Sequence, residues 1–193
     1  MIYRSLTIIS LFFALYSDCY SQKYSRIVKD DEIENFINWH LSTQAKFSEE
    51  PRHGQKKLYY KISKWDTANF FPERIRDISK KYNQDYLFYK LNKWLDTVFS
   101  SNDREYLFTQ FSSQVDTVWQ HNFKKAKLLK TKKQRRDNRY YLSLPLYSLD
   151  KKFVIIKEVY YCGRLCAHGG FKVFRRRDDN NWEFIGSLYD WIS

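Results

Sequence analysis

Residues 152–176, KFVIIKEVYYCGRLCAHGGFKVFRR, hold two apolar runs on either side of a short loop with two cysteines. Val, Ile, Phe and Tyr dominate the run from Lys152 to Tyr161 and the run from Phe171 to Arg176, and these residue types favour strands. Their short connection predicts antiparallel pairing. A turn at 178–180 and a third strand from Trp182 to Ile185 follow. The stretch therefore predicts a β-meander at the C-terminal end of the chain.

The part of the chain before residue 140 has mostly helical patterns. Apolar residues recur at helical spacing over 30–41, 82–99 and 100–118. The segment 57–65 alternates and predicts a strand, with a helix as the alternative for so short a run. The expected N-terminal caps are Asp30 or Asp31 for the first helix and Ser100 or Ser101 for the third.

The order of these patterns predicts an α+β fold. We expect N-terminal helices followed by a C-terminal antiparallel β-meander of three or four strands. The segment 141–147 is predicted to be extended, and Pro145 indicates an edge strand because proline cannot donate to a ladder. Since no linker rich in Gly, Pro or Ser divides the chain, residues 22–193 are expected to form one domain.

The first 21 residues have the pattern of a signal peptide. Arg4 supplies a positive charge, residues 6–16 form an apolar stretch too short for a membrane span, and a small-x-small site predicts cleavage between Ser21 and Gln22. A lipoprotein acylated at Cys19 is disfavoured by Asp18, because a small residue is required there; an uncleaved anchor is the third alternative. We therefore expect an exported protein, periplasmic or secreted.

Composition and charge point towards anionic partners. The formal net charge is +12, and loss of the signal segment, with one Arg and one Asp, would not change it. Nucleic acid, lipid head groups and acidic polysaccharides are the anionic partners that such a charge favours. The alternative is a solvated lysine surface that binds nothing in particular.

The positive charge is concentrated in one run, which has eight cations in the thirteen residues from Lys124 to Arg136. Flanking aromatic residues could stack on bases or sugars, and 175–177 would extend the patch if the fold brought the two together. The expected anion-binding residues are Lys124, Lys125, Lys127, Lys130, Lys132, Lys133, Arg135 and Arg136.

Cys162 and Cys166 are the cysteines that follow the signal segment. In an oxidising compartment nearby cysteines usually pair, and Gly163 makes the necessary turn sterically cheap. A disulfide is the favoured prediction. Three alternatives stay open. One is a metal site with His168, and another is a redox-active or nucleophilic cysteine, although three intervening residues depart from the usual CxxC spacing. The third is a pair of free, inert thiols.

Two further positions are candidates for chemistry. His168 lies beside two glycines that would let a ligand approach, or it is simply an exposed loop histidine. Glu158 interrupts an apolar strand, so we expect it to face solvent or to pair with Arg175 across the hairpin; a buried general acid is a third alternative. His40 is expected at the edge of the first helix, and we predict no site that gathers the histidines.

The sequence lacks the short motifs of common enzyme classes. It contains no Gly-x-Ser-x-Gly, His-Glu-x-x-His or Gly-x-Gly-x-x-Gly and no Walker-type phosphate loop, so we predict no cofactor.

The C-terminal half carries a resemblance. The segments 95–111 and 144–148, the pattern Tyr-Cys-Gly-Arg-Leu-Cys over 161–166, Trp182 and the ending 191–193 resemble a family of small exported proteins from Bacteroidetes-type bacteria. The function of that family is uncharacterised, so the resemblance implies an exported domain and assigns no catalytic residue. Family members have a glycine after the second cysteine, where this chain has Ala167.

These patterns together favour binding over catalysis. We expect an exported, monomeric module that binds an anionic polymer, a lipid surface or an envelope protein. The alternative is an enzyme or metal-binding protein that uses the 162–170 loop and His168.

Overall fold

The computed structural model of the protein describes residues 22–43, 56–65, 95–115, 118–120, 123–124, 126–130, 139–162, 166–178 and 181–192. These residues form two helices and seven strands, and a short stretch at 95–98 is also helical. In chain order the elements are α1 Asp30–Thr43, β1 Lys56–Tyr59, α2 Ser101–Ser112, β2 Ala126–Leu129, β3 Arg139–Leu142, β4 Leu146–Tyr147, β5 Phe153–Tyr161, β6 Ala167–Asp178 and β7 Asn181–Ile192.

The strands form one mixed sheet in the order β2-β1-β3-β5-β6-β7, with β4 also paired to β5. β1 is parallel to both β2 and β3, and the other pairs are antiparallel. The α+β class is confirmed. The finer prediction was wrong, because the sheet has seven strands and β1 precedes α2. The strand predicted over 57–65 is confirmed in part, because β1 covers Lys56–Tyr59. β2 was not predicted, since four residues inside a basic run give no clear period-two signal.

The hairpin of β5 and β6 is the centre of the sheet. Val154, Ile155 and Ile156 are all fully buried, because β5 has neighbours on both sides and side chains packed on both faces. Its end is closed by the Cys162–Cys166 disulfide, across which the Cα atoms are 5.1 Å apart. Bulges accompany the pairing of β6 with β7, and both strands extend beyond their predicted bounds.

The segment 141–147, predicted to be an edge strand, divides into an interior part in β3 and the two-residue β4, which pairs with β5 alone. β3 pairs with β1 on one side and β5 on the other, while Pro145 falls in the gap between β3 and β4. Ser143 bridges that gap, since its backbone N–H donates to the Lys157 carbonyl and its hydroxyl accepts from the Lys157 N–H. Pro145 therefore removes no ladder hydrogen bond.

The predicted cap of α2 is confirmed, whereas α1 starts at a predicted residue that does not cap it, because the Asp30 carboxylate binds N–H groups outside the helix. α1 begins at Asp30, whose carboxylate accepts the backbone N–H groups of Lys23 and Tyr24. Ser100 is the N-cap of α2 and forms a reciprocal capping box with Asp103. α2 ends at Ser112, so the prediction that this helix extends to Val118 was wrong. Of the predicted helix over 82–99, only 95–99 lies within the described residues.

Two apolar cores lie on opposite faces of the sheet. α1 packs Ile33, Phe36 and Ile37 against the face that carries Val154 and Ile156. The other face carries Ile155 and Phe171 and packs against Trp65, Phe99 and Leu107. Alternate residues of β5 therefore point into different cores, and the two faces can carry different functions.

Candidate functional site

A polar cluster is buried between α1 and the sheet. Glu158 on β5 has 3 % of its surface exposed, and one of its carboxylate oxygens lies 2.6 Å from His40 Nε2. The other carboxylate oxygen forms an ion pair with the Lys172 ammonium group on β6. α1 and the β5–β6 hairpin, which are distant from each other in sequence, thus meet at one carboxylate.

The position of Glu158 follows from the pleat. Ile156 and Tyr160 lie on the face of β5 that α1 covers, so Glu158 between them points to the same face. The prediction that Glu158 faces solvent or pairs with Arg175 was wrong. Arg175 lies opposite Phe153, eight positions from the loop end of the hairpin, and binds Glu183 instead.

The protonation states of the cluster follow from burial and contact. Burial lowers the pKa of His40, and this outweighs the opposing effect of its hydrogen bond to Glu158. Burial alone would raise the pKa of Glu158, but the hydrogen bond from His40, the charge that His40 carries once it is protonated at low pH, and the Lys172 ammonium lower it to about 2. Glu158 is therefore ionised at neutral pH, and neutral His40 donates from Nε2.

This arrangement leaves a lone pair on His40 Nδ1. The atom is buried and has no hydrogen-bond partner within the described part of the chain. A carboxylate that orients a neutral imidazole is the composition of a general base. The ring is closed off, however, because it stacks on Phe36 and meets the edge of Phe174 with centroids 5.3 Å apart. The cluster joins α1 to the hairpin and is closed to substrate in this conformation.

The sequence carried a signal for His40 that was missed. His40 follows Phe36 by four residues and Ile37 by three, so it continues the apolar stripe of α1. The expectation that it lies at the helix edge was wrong. A histidine on the apolar stripe of a helix and a glutamate inside an apolar strand need a common partner when both are buried.

A second feature lies on the face away from α1, where cations of three adjacent strands form one row. Lys57 on β1 is the register partner of Lys127 on β2. Leu58 pairs with Tyr140 in parallel, which places Lys57 beside Arg139 on β3. With about 4.8 Å between strands, the row spans roughly 10 Å. We call Lys127, Lys57 and Arg139 the cation row.

Tyrosines continue the cation row. Tyr161 on β5 is the register partner of Arg139, and Tyr141 follows Arg139 by two residues on the same face. The Arg139 guanidinium lies 5.7 Å from the Tyr141 ring centroid and 5.4 Å from that of Tyr161. The Tyr141 ring in turn packs against Tyr59, with centroids 4.7 Å apart. An aromatic group therefore borders the cations on the interior side.

The predicted basic run reaches this face through β2. Lys124, Lys127 and Lys130 are exposed, and β2 is an edge strand. The remaining predicted residues lie outside the described residues: Lys125, Lys132, Lys133, Arg135 and Arg136. The arginines at 175–177 do not extend the patch. The register sets them near Phe153, roughly 27 Å along β5 from Tyr161, and two of them bind Glu183.

The alternative site in the 162–170 loop depends on free cysteine sulfur atoms and on the position of His168. The sulfur atoms of Cys162 and Cys166 bind each other, so they are not available as metal ligands or nucleophiles. His168 lies in β6, opposite Tyr160 and Ile192, and is not in the loop. Among the described residues no group of three His, Cys, Asp or Glu side chains is placed to hold a metal ion.

Comparison with known protein families, with curated proteins and with solved structures found no match. Within the described residues no helix is long and apolar enough to cross a membrane. The fold and the two sites therefore supply the grounds for a functional proposal.

Proposed function

We propose that this protein is an exported, non-catalytic module that binds an anionic polymer at the cell envelope through the cation row and the adjoining edge strand β2. The observation that carries the proposal is the register of Lys127, Lys57 and Arg139 on one sheet face. Lys127 is the exposed member of the row, and exposed cations that lie close together create a positive potential that favours anions. Lys124 and Lys130, which precede and follow β2 in the chain, add exposed charge at its two ends.

Edge protection is the competing explanation for these cations. Lysines on an edge strand prevent sheets from pairing with one another. That explanation covers Lys127 on β2. It does not account for Lys57 and Arg139, because β1 and β3 are interior strands with a neighbour on each side.

The arrangement favours a polymer over other anionic partners. The cation row runs across the strands, and the run from Lys124 to Arg136 continues from one end of it along the chain. Repeated cations complement repeated anions, and each anion neutralised releases counterions. The closed His40–Glu158 pair supports a binding role, because its side chains are out of reach of a bound molecule.

The proposal is tested by measuring affinity for single-stranded oligonucleotides and heparin against salt concentration. The double variant Lys57→Gln, Lys127→Gln should bind more weakly at low salt. For single-stranded DNA, its slope of log affinity against log salt should be shallower by about 1.4. The matched control is Arg175→Gln, Arg177→Gln, which removes the same charge at the far end of the hairpin and should change affinity less.

Two results would overturn the proposal. One is no binding of either polymer by the natural chain at low salt. The other is an equal loss of affinity in the double variant and its control, since that would reflect net charge alone. Binding to anionic vesicles without binding to either soluble polymer would also contradict it, because the partner would then be a lipid surface.

A further inference from the structure

Trp191 on β7 is the one exposed tryptophan in the part of the chain that the structure describes, with 40 % of its surface open to solvent. Its register partner on β6 is Gly169, and a Cβ atom added to that glycine would lie 3.0 Å from Trp191 Cζ2. The indole ring therefore leans over a residue that has no side chain of its own. Part of the ring rests on the sheet, and a large part is presented to solvent.

Trp191 lies on the face of the sheet that carries Lys127. Glu158 points to the face under α1, so its neighbour Val159 points to the opposite face. Register partners point the same way, which places Gly169 and then Trp191 on that face too. Lys127 is exposed at the other edge of the sheet, on β2, and the five strand intervals between β2 and β7 span roughly 24 Å. One face therefore carries an exposed cation at one edge and an exposed aromatic ring at the other.

Cover for Gly169 is the competing explanation for Trp191, since aromatic side chains stabilise sheet glycines by packing across them. That explanation accounts for the contact with the glycine. It does not account for the exposed part of the ring, because an aliphatic side chain would cover the same glycine and leave less apolar surface in water. Tryptophan is, by contrast, enriched among the residues that contribute most to binding.

The surroundings of Trp191 favour a nucleobase over a sugar ring as its partner. Sugar hydroxyls need hydrogen-bonding partners when they leave water, whereas a base presents an apolar face that stacks without them. The Asp190 carboxylate is turned away, because it lies against Gly170 on the face under α1 and accepts from the Ser187 hydroxyl. The described neighbours of Trp191 on its own face are apolar: Val159, Ala167 and Leu188.

We infer that the anionic polymer is a single-stranded nucleic acid, that one of its bases stacks on Trp191, and that its phosphates lie towards Lys127 and the exposed lysines at the two ends of β2. This inference rests on the proposed function and adds the class of the polymer. A duplex does not fit, because its bases are stacked on one another and expose no face. Tyr161 is assigned no base, since the Arg139 guanidinium lies over its ring.

The test compares oligothymidylate with an abasic strand of equal length, which has the same phosphodiesters and no bases. The natural chain should bind oligothymidylate about tenfold more tightly than the abasic strand. Trp191→Leu should remove that difference by weakening oligothymidylate binding alone, with no change in the slope against salt, because no cation is lost. Trp191→Phe keeps a smaller ring and should retain part of the difference. Binding of oligothymidylate should quench tryptophan fluorescence in the natural chain, and Trp191→Phe should lose that quenching.

The matched control is Phe184→Leu, which removes an exposed aromatic ring from the same strand. Phe184 lies on the face under α1, where its ring contacts Phe174, so this variant should bind both strands as the natural chain does. Thermal unfolding of the leucine variants shows whether the fold is retained.

The outcomes separate this inference from the proposed function. If the natural chain binds the two strands equally well, or if Trp191→Leu keeps the difference between them, the inference is wrong although the proposed function stands. An equal loss of oligothymidylate and heparin binding in Trp191→Leu would indicate a platform for sugar rings and would also overturn the inference. If the natural chain binds neither strand nor heparin, both proposals are wrong.

Discussion

Glu158 carries a negative charge into a core that is otherwise built from aromatic and aliphatic side chains. Such a charge is tolerated only when partners replace its lost hydration, and both of its oxygen atoms have one. The partners come from α1 and β6, so the pairing is satisfied in one arrangement of helix and hairpin only. A buried charge of this kind contributes more to the choice of arrangement than to net stability.

Acidification should destabilise the protein through His40. Because the folded pKa of His40 lies below its ordinary value of 6.5, the unfolded state binds the proton more readily. The stabilising effect is complete above pH 6.5 and is lost as pH falls from 6.5 through the lowered folded pKa, at about 1.4 kcal/mol per pH unit. Glu158 adds a second loss between its ordinary value of 4.5 and its folded pKa of about 2. Urea unfolding measured at a series of pH values gives these slopes.

The variant His40→Gln keeps a donor for Glu158 and removes the titration. Its stability at neutral pH should fall, and its pH dependence just below 6.5 should flatten relative to the natural chain. His168→Gln is the control for loss of one histidine and should keep the dependence. An identical slope in the natural chain and in His40→Gln would contradict a neutral, buried His40.

At the scale of elements, α2 supplies a hydrogen-bonding partner to a strand. β4 is only two residues long and pairs with β5 along one edge. On its other side the buried Gln110 amide accepts from the Tyr147 N–H at 2.9 Å and donates to the Tyr147 carbonyl at 2.6 Å. A single glutamine side chain therefore takes the place of a neighbouring strand.

Gln110→Ala should destabilise the protein by about 3 kcal/mol, because it leaves a buried N–H and a buried carbonyl without partners. The denaturant slope should stay unchanged, since the surface exposed on unfolding is nearly the same. Thr109→Ala on the exposed side of α2 is the matched control and should lie within about 0.5 kcal/mol of the natural chain. Equal effects of the two substitutions would show that the Gln110 bonds contribute little.

Predictability from sequence differed among the elements for a physical reason. β5 and α1 have long apolar patterns, and a local pattern was enough to find them. The alternation over 57–65 found β1 but not its end, and nothing local found β2. Both strands have four residues and pair in parallel across about seventy positions, so their neighbours decide where they form. β2 lies inside the basic run, where its charges concealed the strand.

The site could be predicted only in part for the same reason. The cysteine pair and the basic run are local, and both were found in the sequence. His40 and Glu158 are 118 positions apart, and Lys57 and Arg139 become neighbours only through the parallel pairing of β1 with β3. Contacts that depend on strand order are not encoded in any single window of the chain.

On the scale of the whole molecule, the two faces of the sheet differ in character. The face under α1 encloses its charges in the Glu158 cluster, and the opposite face presents the cation row at the end where β2, β1 and β3 meet. The disulfide lies at that same end, beside Tyr161. The covalent restraint therefore lies beside the proposed binding surface.

Two independent features of the chain predict export. A disulfide persists in an oxidising compartment, and the first 21 residues have the pattern of a cleavable signal. Protein recovered from the periplasm or the medium should begin at Gln22 and should have no reactive thiol. Cys19→Ser separates the two routes of processing, because it keeps the small-x-small site and removes the acylation site. Unchanged cleavage in that variant is expected; loss of processing together with loss of membrane attachment would show instead that the chain is a lipoprotein.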